Sequence, residues 1–256
     1  MIVGSTKENL SLEKRVSITP ETAKNIVNLG LDVVLENDYA THIGINNKEY
    51  ESVGVEIKKT SKEVLSVCNV LMQVNCPSEE EILNLKDQTI LIGMLNPSKN
   101  QKKIKEIIKK KINIFSLELL PRISRAQSMD VLSSQSNLAG YRSVIDSIYE
   151  FEKAIPMMMT AAGTVPAAKV LVIGAGVAGL QAIATAKRLG AIVSATDVRV
   201  ASKEQVESLG GKFLTVEQTE NLETAGGYAK EASEDFKKKQ AEMMKDALKK
   251  NDIVIC

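Results

Sequence analysis

The sequence predicts an α/β protein built from two doubly wound parallel-sheet domains joined by a long helix. Three observations carry this. Short apolar runs alternate with amphipathic stretches through the first 120 residues. A second alternation of the same kind begins at Lys169, where an apolar run meets a glycine-rich turn. Between the two lies a stretch with a single helical pattern followed by a proline-interrupted passage.

In the first half the strand-like runs are Ile2–Gly4, Val33–Glu36, Val55–Ile57, Val70–Val74, Thr89–Met94 and Ile112–Leu117. Pro20–Leu29 reads as a helix, with Thr19 as N-cap, Pro20 at the first helical position, Glu21 in the first turn and Gly30 past the end. Lys99–Lys110 reads as another, with Ile104, Ile107 and Ile108 marking one face. Its lysines (Lys102, Lys103, Lys105, Lys109 and Lys110) read as a solvated face rather than an anion site. Strands alternating with helices call for a parallel sheet covered on both sides. No glycine-rich phosphate turn occurs in this half, so its role should differ from that of the second.

From Ser134 to Phe151, Leu138, Tyr141, Ile145, Ile148 and Tyr149 recur at helical spacing. This predicts a long helix leaving the first domain, with residues 154–168 completing the passage and Met157–Met159 packed at the junction. The expected division is therefore a first domain over 1–133, a connecting segment over 134–168 and a second domain over 169–256.

The second domain opens on KVLVIGAGVAGLQAIATAKRLGAIVSATDVR, Lys169 to Arg199. A strand over 169–174 runs into Gly174, Gly176 and Gly179 in G-x-G-x-x-G spacing, followed by a helix over 178–189 and a strand over 191–196 that ends on Asp197. Gly174 permits the tight turn, Gly176 lets a pyrophosphate approach the backbone, and Gly179 lets the helix pack closely on the strand. The helix N-terminus offers N–H groups to phosphates. Asp197 is placed to accept hydrogen bonds from adenosine ribose hydroxyls and to repel a 2′-phosphate, which favours NAD(H) over NADP(H). The strand, the helix and the acid supply the context that a lone glycine motif lacks. The domain is thus Rossmann-like. It continues with a helix over 202–209, a strand over Lys212–Val216, a polar stretch over Glu217–Ser233 of the length of a lid, a helix over Glu234–Lys250 and a fourth strand over Asp252–Cys256. A nucleotide fold of this type has six strands in order 3-2-1-4-5-6, so the reading expects a second domain that is C-terminally incomplete.

Composition narrows the function classes. Of 256 residues, 44% are hydrophobic and 25% charged, ordinary for a globular chain. Lysine plus arginine total 33 against 32 acidic residues, which gives no electrostatic case for nucleic acid. Cys68, Cys76 and Cys256 have no metal-ligand spacing and read as reduced thiols, so no metal is expected. The N-terminus has no apolar signal core. Between Lys153 and Lys187 the only charge is Lys169, but Pro156, Pro166 and the glycine turn interrupt the segment. No clean stretch of about twenty apolar residues remains, so no direct membrane insertion is expected.

Between the two halves lies PRISRAQSMDVLSSQSNLAGYR, Pro121 to Arg142, expected at the cleft between the domains. Arg122, Arg125, Gln127, Asp130, Ser133 and Gln135 crowd into fourteen positions. Such a cluster can hydrogen-bond an amide and position a planar ring. It has no His and no Cys, which suits hydride transfer, where a cofactor supplies the chemistry and the protein supplies orientation. On spacing alone, a capped surface turn before a helix reads equally well.

This loop resembles the Arg-Gln-Asp loop of the NAD(H)-binding component of proton-translocating nicotinamide nucleotide transhydrogenases. The resemblance extends through RVSITPETAK, PMMMTAAGTVPAAKVLVIGAGVAGLQAIATAKRLGA, TDVR, KEQVESLGGKF and ETAGGYAKE. It implies that Arg122, Gln127, Asp130 and Ser133 are the catalytic loop residues that hold the nicotinamide and its ribose. It places Val177, Asp197, Val198 and Arg199 on the adenosine side, Gly227 and Tyr228 on a mobile loop that folds over the nucleotide, and Gln240 at a further contact. It also implies direct hydride transfer from NADH to NADP+ held on a separate NADP(H)-binding beta subunit. A membrane component would couple the exchange to proton translocation, and the chain would be a homodimer lying peripherally on the cytoplasmic side of the inner membrane.

The rival is a soluble alanine dehydrogenase, similar in fold, which uses a lysine and a histidine for substrate binding and acid–base work. Gln73 and Asn96 fall at those two positions, and neither can carry a proton. The only histidine, His42, is expected to be structural or exposed. A third reading is a truncated, inactive polypeptide with exposed strand edges.

Overall fold

The protein, seen in a computed structural model, is described for residues 1–121, 123–199, 201–216 and 234–256, with side chains of the last segment described from 237 onward. By internal contacts it divides into two units, Met1–Val131 and Leu132–Cys256.

The first unit alternates strands and helices in chain order: β1 (Ile2–Ser5), α1 (Pro20–Asn28), β2 (Asp32–Glu36), α2 (Asn47–Glu51), β3 (Val55–Lys58), α3 (Ser61–Val67), β4 (Val70–Asn75), α4 (Glu79–Asn84), β5 (Ile90–Met94), α5 (Gln101–Lys109) and β6 (Asn113–Ser116). The sheet is parallel throughout, in order β3-β2-β1-β4-β5-β6, so the winding reverses between β1 and β4. Val3, Val33, Leu35, Leu71 and Leu91 are buried in these strands, as covering on both faces requires. The helices begin where their caps dictate. Thr19 Oγ1 accepts from Thr22 N at 3.2 Å ahead of α1, and Asn46 with Glu49 and Ser78 with Glu81 form capping boxes ahead of α2 and α4. On α5 the buried face is Ile107 with Ile104 partly covered. Ile108 is 62% exposed, so it does not share the predicted face.

The second unit begins with α6 (Val131–Glu150), apart from its first residue. This helix starts three residues earlier than the sequence predicts. Its buried residues are Gly140 and Val144, while Leu138, Tyr141 and Tyr149, expected on the apolar stripe, are exposed. The reason is a close approach: a Cβ at Gly140 would lie 2.0 Å from the Ala178 carbonyl oxygen, so this face of α6 meets backbone directly. The passage after it is not a plain linker. It forms an antiparallel hairpin, β7 (Met158–Thr160) with β8 (Gly163–Val165), and Met157, Met158 and Met159 are exposed rather than packed.

The rest of the unit is β9 (Lys169–Ile173), α7 (Val177–Arg188), β10 (Ile192–Thr196), α8 (Ser202–Ser208), β11 (Lys212–Phe213), α9 (Glu234–Lys250) and β12 (Ile253–Ile255). Its parallel sheet has order β11-β10-β9-β12, which is 3-2-1-4 counting from β9, the order of the first four nucleotide-fold strands. β11 is shorter than the predicted strand over Lys212–Val216. Val170, Val172, Ile183, Val193 and Val206 form the core.

Candidate functional site

The glycine turn follows β9. Gly174 has φ +96°, a left-handed conformation open to glycine without a steric penalty, and its N–H donates to Thr196 O at 2.8 Å, tying the turn to the end of β10. Gly179 sits in the first turn of α7, where a Cβ would lie 1.8 Å from the Gly174 carbonyl oxygen. A Cβ at Gly176, by contrast, would meet nothing within 4 Å among the described residues. Gly176 is the N-cap of α7 and offers no side-chain oxygen, and the first turn carries no acidic residue. The first N–H groups of this twelve-residue helix therefore have no cap from the N-cap side chain. Val177 on this turn is 43% exposed. An uncapped helix N-terminus, with open space where Gly176 lacks a side chain, fits a pyrophosphate.

Asp197 follows β10 and bonds back to the turn. Its Oδ2 accepts from Ala175 N at 2.7 Å and from Arg199 Nη2 at 2.9 Å. Its Oδ1 accepts from Arg199 N at 2.8 Å and from Arg199 Nε at 2.9 Å. The Asp197 side chain is 6% exposed and that of Arg199 26%. Burial pushes the carboxyl pKa upward, but the hydrogen bonds from the Arg199 side chain and from the Arg199 and Ala175 amides outweigh it and hold the group below its ordinary value. Val198 between them is half-buried. The fork from Arg199 onto Asp197 is a feature that the sequence reading missed. The signal was the Asp-Val-Arg spacing, which brings a guanidinium back onto an acid two residues earlier.

The loop residues are placed as follows. Arg122, Gly227 and Tyr228 lie outside the described residues. Gln127 belongs to a short 3-10 segment, Ser124–Met129, anchored by buried Ala126. Its side chain is exposed and its carbonyl accepts from Asp130 N at 3.3 Å. Asp130 immediately precedes α6 and Ser133 lies in its first turn, both half-buried. Gln240 lies on α9, also half-buried. The structure thus brings Gly174, Gly176, Gly179 and Asp197 into one bonded turn, and Gln127 and Asp130 into another.

At the winding reversal of the first sheet the chemistry is different. Gln73 is 5% exposed, and its Nε2 donates to Thr6 Oγ1, which in turn donates to Glu81 Oε1 at 2.9 Å. Glu8 accepts from Val74 N at 2.7 Å and Asn75 N at 3.2 Å. Asn96 sits after β5 with φ +45°. His42 is exposed, its Nε2 2.8 Å from Lys14 O. Cys68, Cys76 and Cys256 are free thiols. Among the described residues no group of three His, Cys, Asp or Glu side chains is arranged to hold a metal ion, and no helix is long and apolar enough to cross a membrane.

Two doubly wound parallel sheets, one of them opening on an uncapped glycine turn with an acid at the end of its second strand, define a two-domain α/β protein of dinucleotide-binding type. The family model described as "Alanine dehydrogenase/PNT, N-terminal domain" matches residues 4–139, and the corresponding C-terminal domain model matches residues 143–256. The chain is 52% identical to an NAD(P) transhydrogenase subunit alpha polypeptide of Rhodospirillum rubrum, over 100% of this chain and 68% of that protein. It superposes on the crystal structure of transhydrogenase from Sinorhizobium meliloti with TM-score 0.81 and 50% identity, over 84% of this chain and 64% of that one. Its identity to the alanine dehydrogenase of Methanococcus maripaludis is 28%, over 84% of this chain and 58% of that protein. The chain belongs to the alanine dehydrogenase/PNT family, an oxidoreductase family, and within it stands with the transhydrogenase alpha subunits. It spans about two thirds of the length of these relatives.

Proposed function

We propose that the chain is the NAD(H)-binding component of a proton-translocating transhydrogenase. The observation that carries the site is the bond between Ala175 N and Asp197 Oδ2, which sets a buried carboxylate beside the uncapped first turn of α7. In this reading the N–H groups of the turn hold the pyrophosphate, and Asp197, flanked by Val177, Val198 and Arg199, receives the adenosine ribose. Arg122, Gln127, Asp130 and Ser133 orient the nicotinamide ring and its ribose, Gly227 and Tyr228 close over the nucleotide, and Gln240 adds a contact. The nicotinamide supplies the hydride, so the residues of this chain need only bind, orient and exclude water. The acceptor is NADP+ on a beta subunit, with proton movement left to a membrane component. The chain is then a peripheral homodimer on the cytoplasmic side of the inner membrane.

The lack of a proton-carrying residue at Gln73 and Asn96 disfavours the alanine dehydrogenase reading. The deciding experiment adds the protein to membranes that carry the other components and follows reduction of an NAD analogue by NADPH. Restored reduction supports the proposal. Its failure under conditions where the protein binds NADH, together with production of pyruvate from alanine and NAD+, would refute it.

A further inference from the structure

The Asp197 carboxylate is saturated before any ligand arrives. A carboxylate has about four lone-pair sites, and four donors already occupy them: Ala175 N, Arg199 N, Arg199 Nε and Arg199 Nη2. The two amide donors are built into the backbone. The two guanidinium donors come from a side chain that can rotate away. A ribose that hydrogen-bonds Asp197 must therefore displace the fork of Arg199, and the displaced guanidinium stays next to the ribose edge. That is where the 2′-phosphate of NADP(H) would lie, and a planar fork of N–H donors suits a phosphate as well as a carboxylate.

We propose that Arg199 is a latent 2′-phosphate receptor held by Asp197, so that this pair, and not Asp197 alone, sets the choice between NAD(H) and NADP(H). Asp197 acts twice. Its charge repels a 2′-phosphate, and its two oxygens engage the Arg199 guanidinium. Neutralising Asp197 removes the repulsion and weakens its hold on the fork together. The inference rests on the proposal that the glycine turn holds a dinucleotide.

The test measures dissociation constants for NADH and NADPH, by calorimetry or nucleotide fluorescence, on the unsubstituted chain, Asp197→Asn and Asp197→Asn/Arg199→Ala. Asn keeps an oxygen for Ala175 N, and Asp197→Ser replaces it should the Asn variant melt early. The unsubstituted chain should prefer NADH. Asp197→Asn should bind NADPH at least about tenfold more tightly than the unsubstituted chain does, the worth of one or two charge-assisted hydrogen bonds. The double variant should lose most of that gain. Equal NADPH affinity in the single and double variants, or no gain in the single one, overturns the role of Arg199 while leaving the nucleotide site intact. Binding of neither dinucleotide by the unsubstituted, folded chain overturns the nucleotide site and this inference with it.

Discussion

Gly176 and Gly179 are both motif glycines, yet the structure predicts opposite consequences for adding one methyl group. At Gly179 a Cβ would lie 1.8 Å from the Gly174 carbonyl oxygen, 2.9 Å from its carbonyl carbon and 3.5 Å from Val172 Cγ1. The first two are backbone atoms of a turn pinned to Thr196 O, so neither can swing aside as a side-chain tip would. α7 has to lift off β9, beside the core that holds Val172 and Ile183. Overpacking of this kind costs about 1–3 kcal/mol, and the backbone contact places Gly179→Ala near the upper end. At about 2–4 °C per kcal/mol for a chain of this size, the melting temperature should fall by ~6–12 °C. At Gly176 an added Cβ meets no described residue beyond its chain neighbours within 4 Å, and φ −76° suits any residue. Gly176→Ala should therefore melt within about 2 °C of the unsubstituted protein. If the pyrophosphate approaches there, it should nevertheless lose NADH affinity. The assay is thermal unfolding by circular dichroism alongside NADH titration of both variants. A Gly179→Ala protein that melts with the unsubstituted one refutes the close-packing argument. A Gly176→Ala protein that is stable and binds NADH undiminished refutes the placement of the pyrophosphate.

Other consequences can be checked more briefly. Asp197 has a native pKa below its ordinary 3.8. Its contribution to stability should be complete above that pH and lost as pH falls through the lowered native value. Denaturant midpoints measured from pH 6 down to pH 2 should drop less steeply in Asp197→Asn than in the unsubstituted chain. Thr19→Ala removes the acceptor for Thr22 N and should cost about 1 kcal/mol in urea unfolding, with Thr19→Ser restoring most of it. Burial pushes the Cys68 thiol up to about 11, while Cys256 is exposed. An aromatic disulfide reagent at pH 8 should modify Cys256 at once and Cys68 only on unfolding, and rapid labelling of Cys68 in the folded protein would contradict its packing.

The features legible in the sequence were those that depend on local chemistry. All six strands of the first sheet and the first strands of the second were marked by β-branched and leucine runs that must be buried on both faces, and Thr19 and Gly30 bracketed α1. The glycine spacing with Asp197 located the turn, because each glycine answers a separate steric demand. The misreadings came from tertiary contacts. The stripe through Leu138, Tyr141 and Tyr149 has helical period, but the buried face of α6 is set by Gly140 against Ala178, a contact between residues far apart in sequence. Met157–Met159 read as packed at the junction because methionine is apolar, yet they stand exposed at a hairpin whose pairing residues, Met158 with Val165, carry no turn signal strong enough to announce it. At the site itself the glycines and the acid could be read, but the four bonds that saturate Asp197 depend on side-chain direction and could not.

The two sheets share their winding but not their chemistry, and the difference lies in the connection that leaves the first strand of each. After β1 the chain takes a long path, residues 6–19, across the place where the winding reverses. That path fills the crevice with its own groups: Thr6 bridges Gln73 and Glu81, Glu8 takes Val74 N and Asn75 N, and the Tyr39 hydroxyl accepts from Ser17 N at 3.0 Å. Two backbone donors at the end of β4, Val74 N and Asn75 N, are thus consumed internally. After β9 the chain turns at once into α7 through three residues, two of them glycine, and supplies no side-chain cap. Among the described residues the first-turn N–H groups of α7 have no side-chain cap, and they lie beside the buried Asp197 carboxylate that takes Ala175 N. Anions bind where N–H groups are preorganised, so among the described residues the turn after β9 fits a phosphate in a way that the connection after β1 does not.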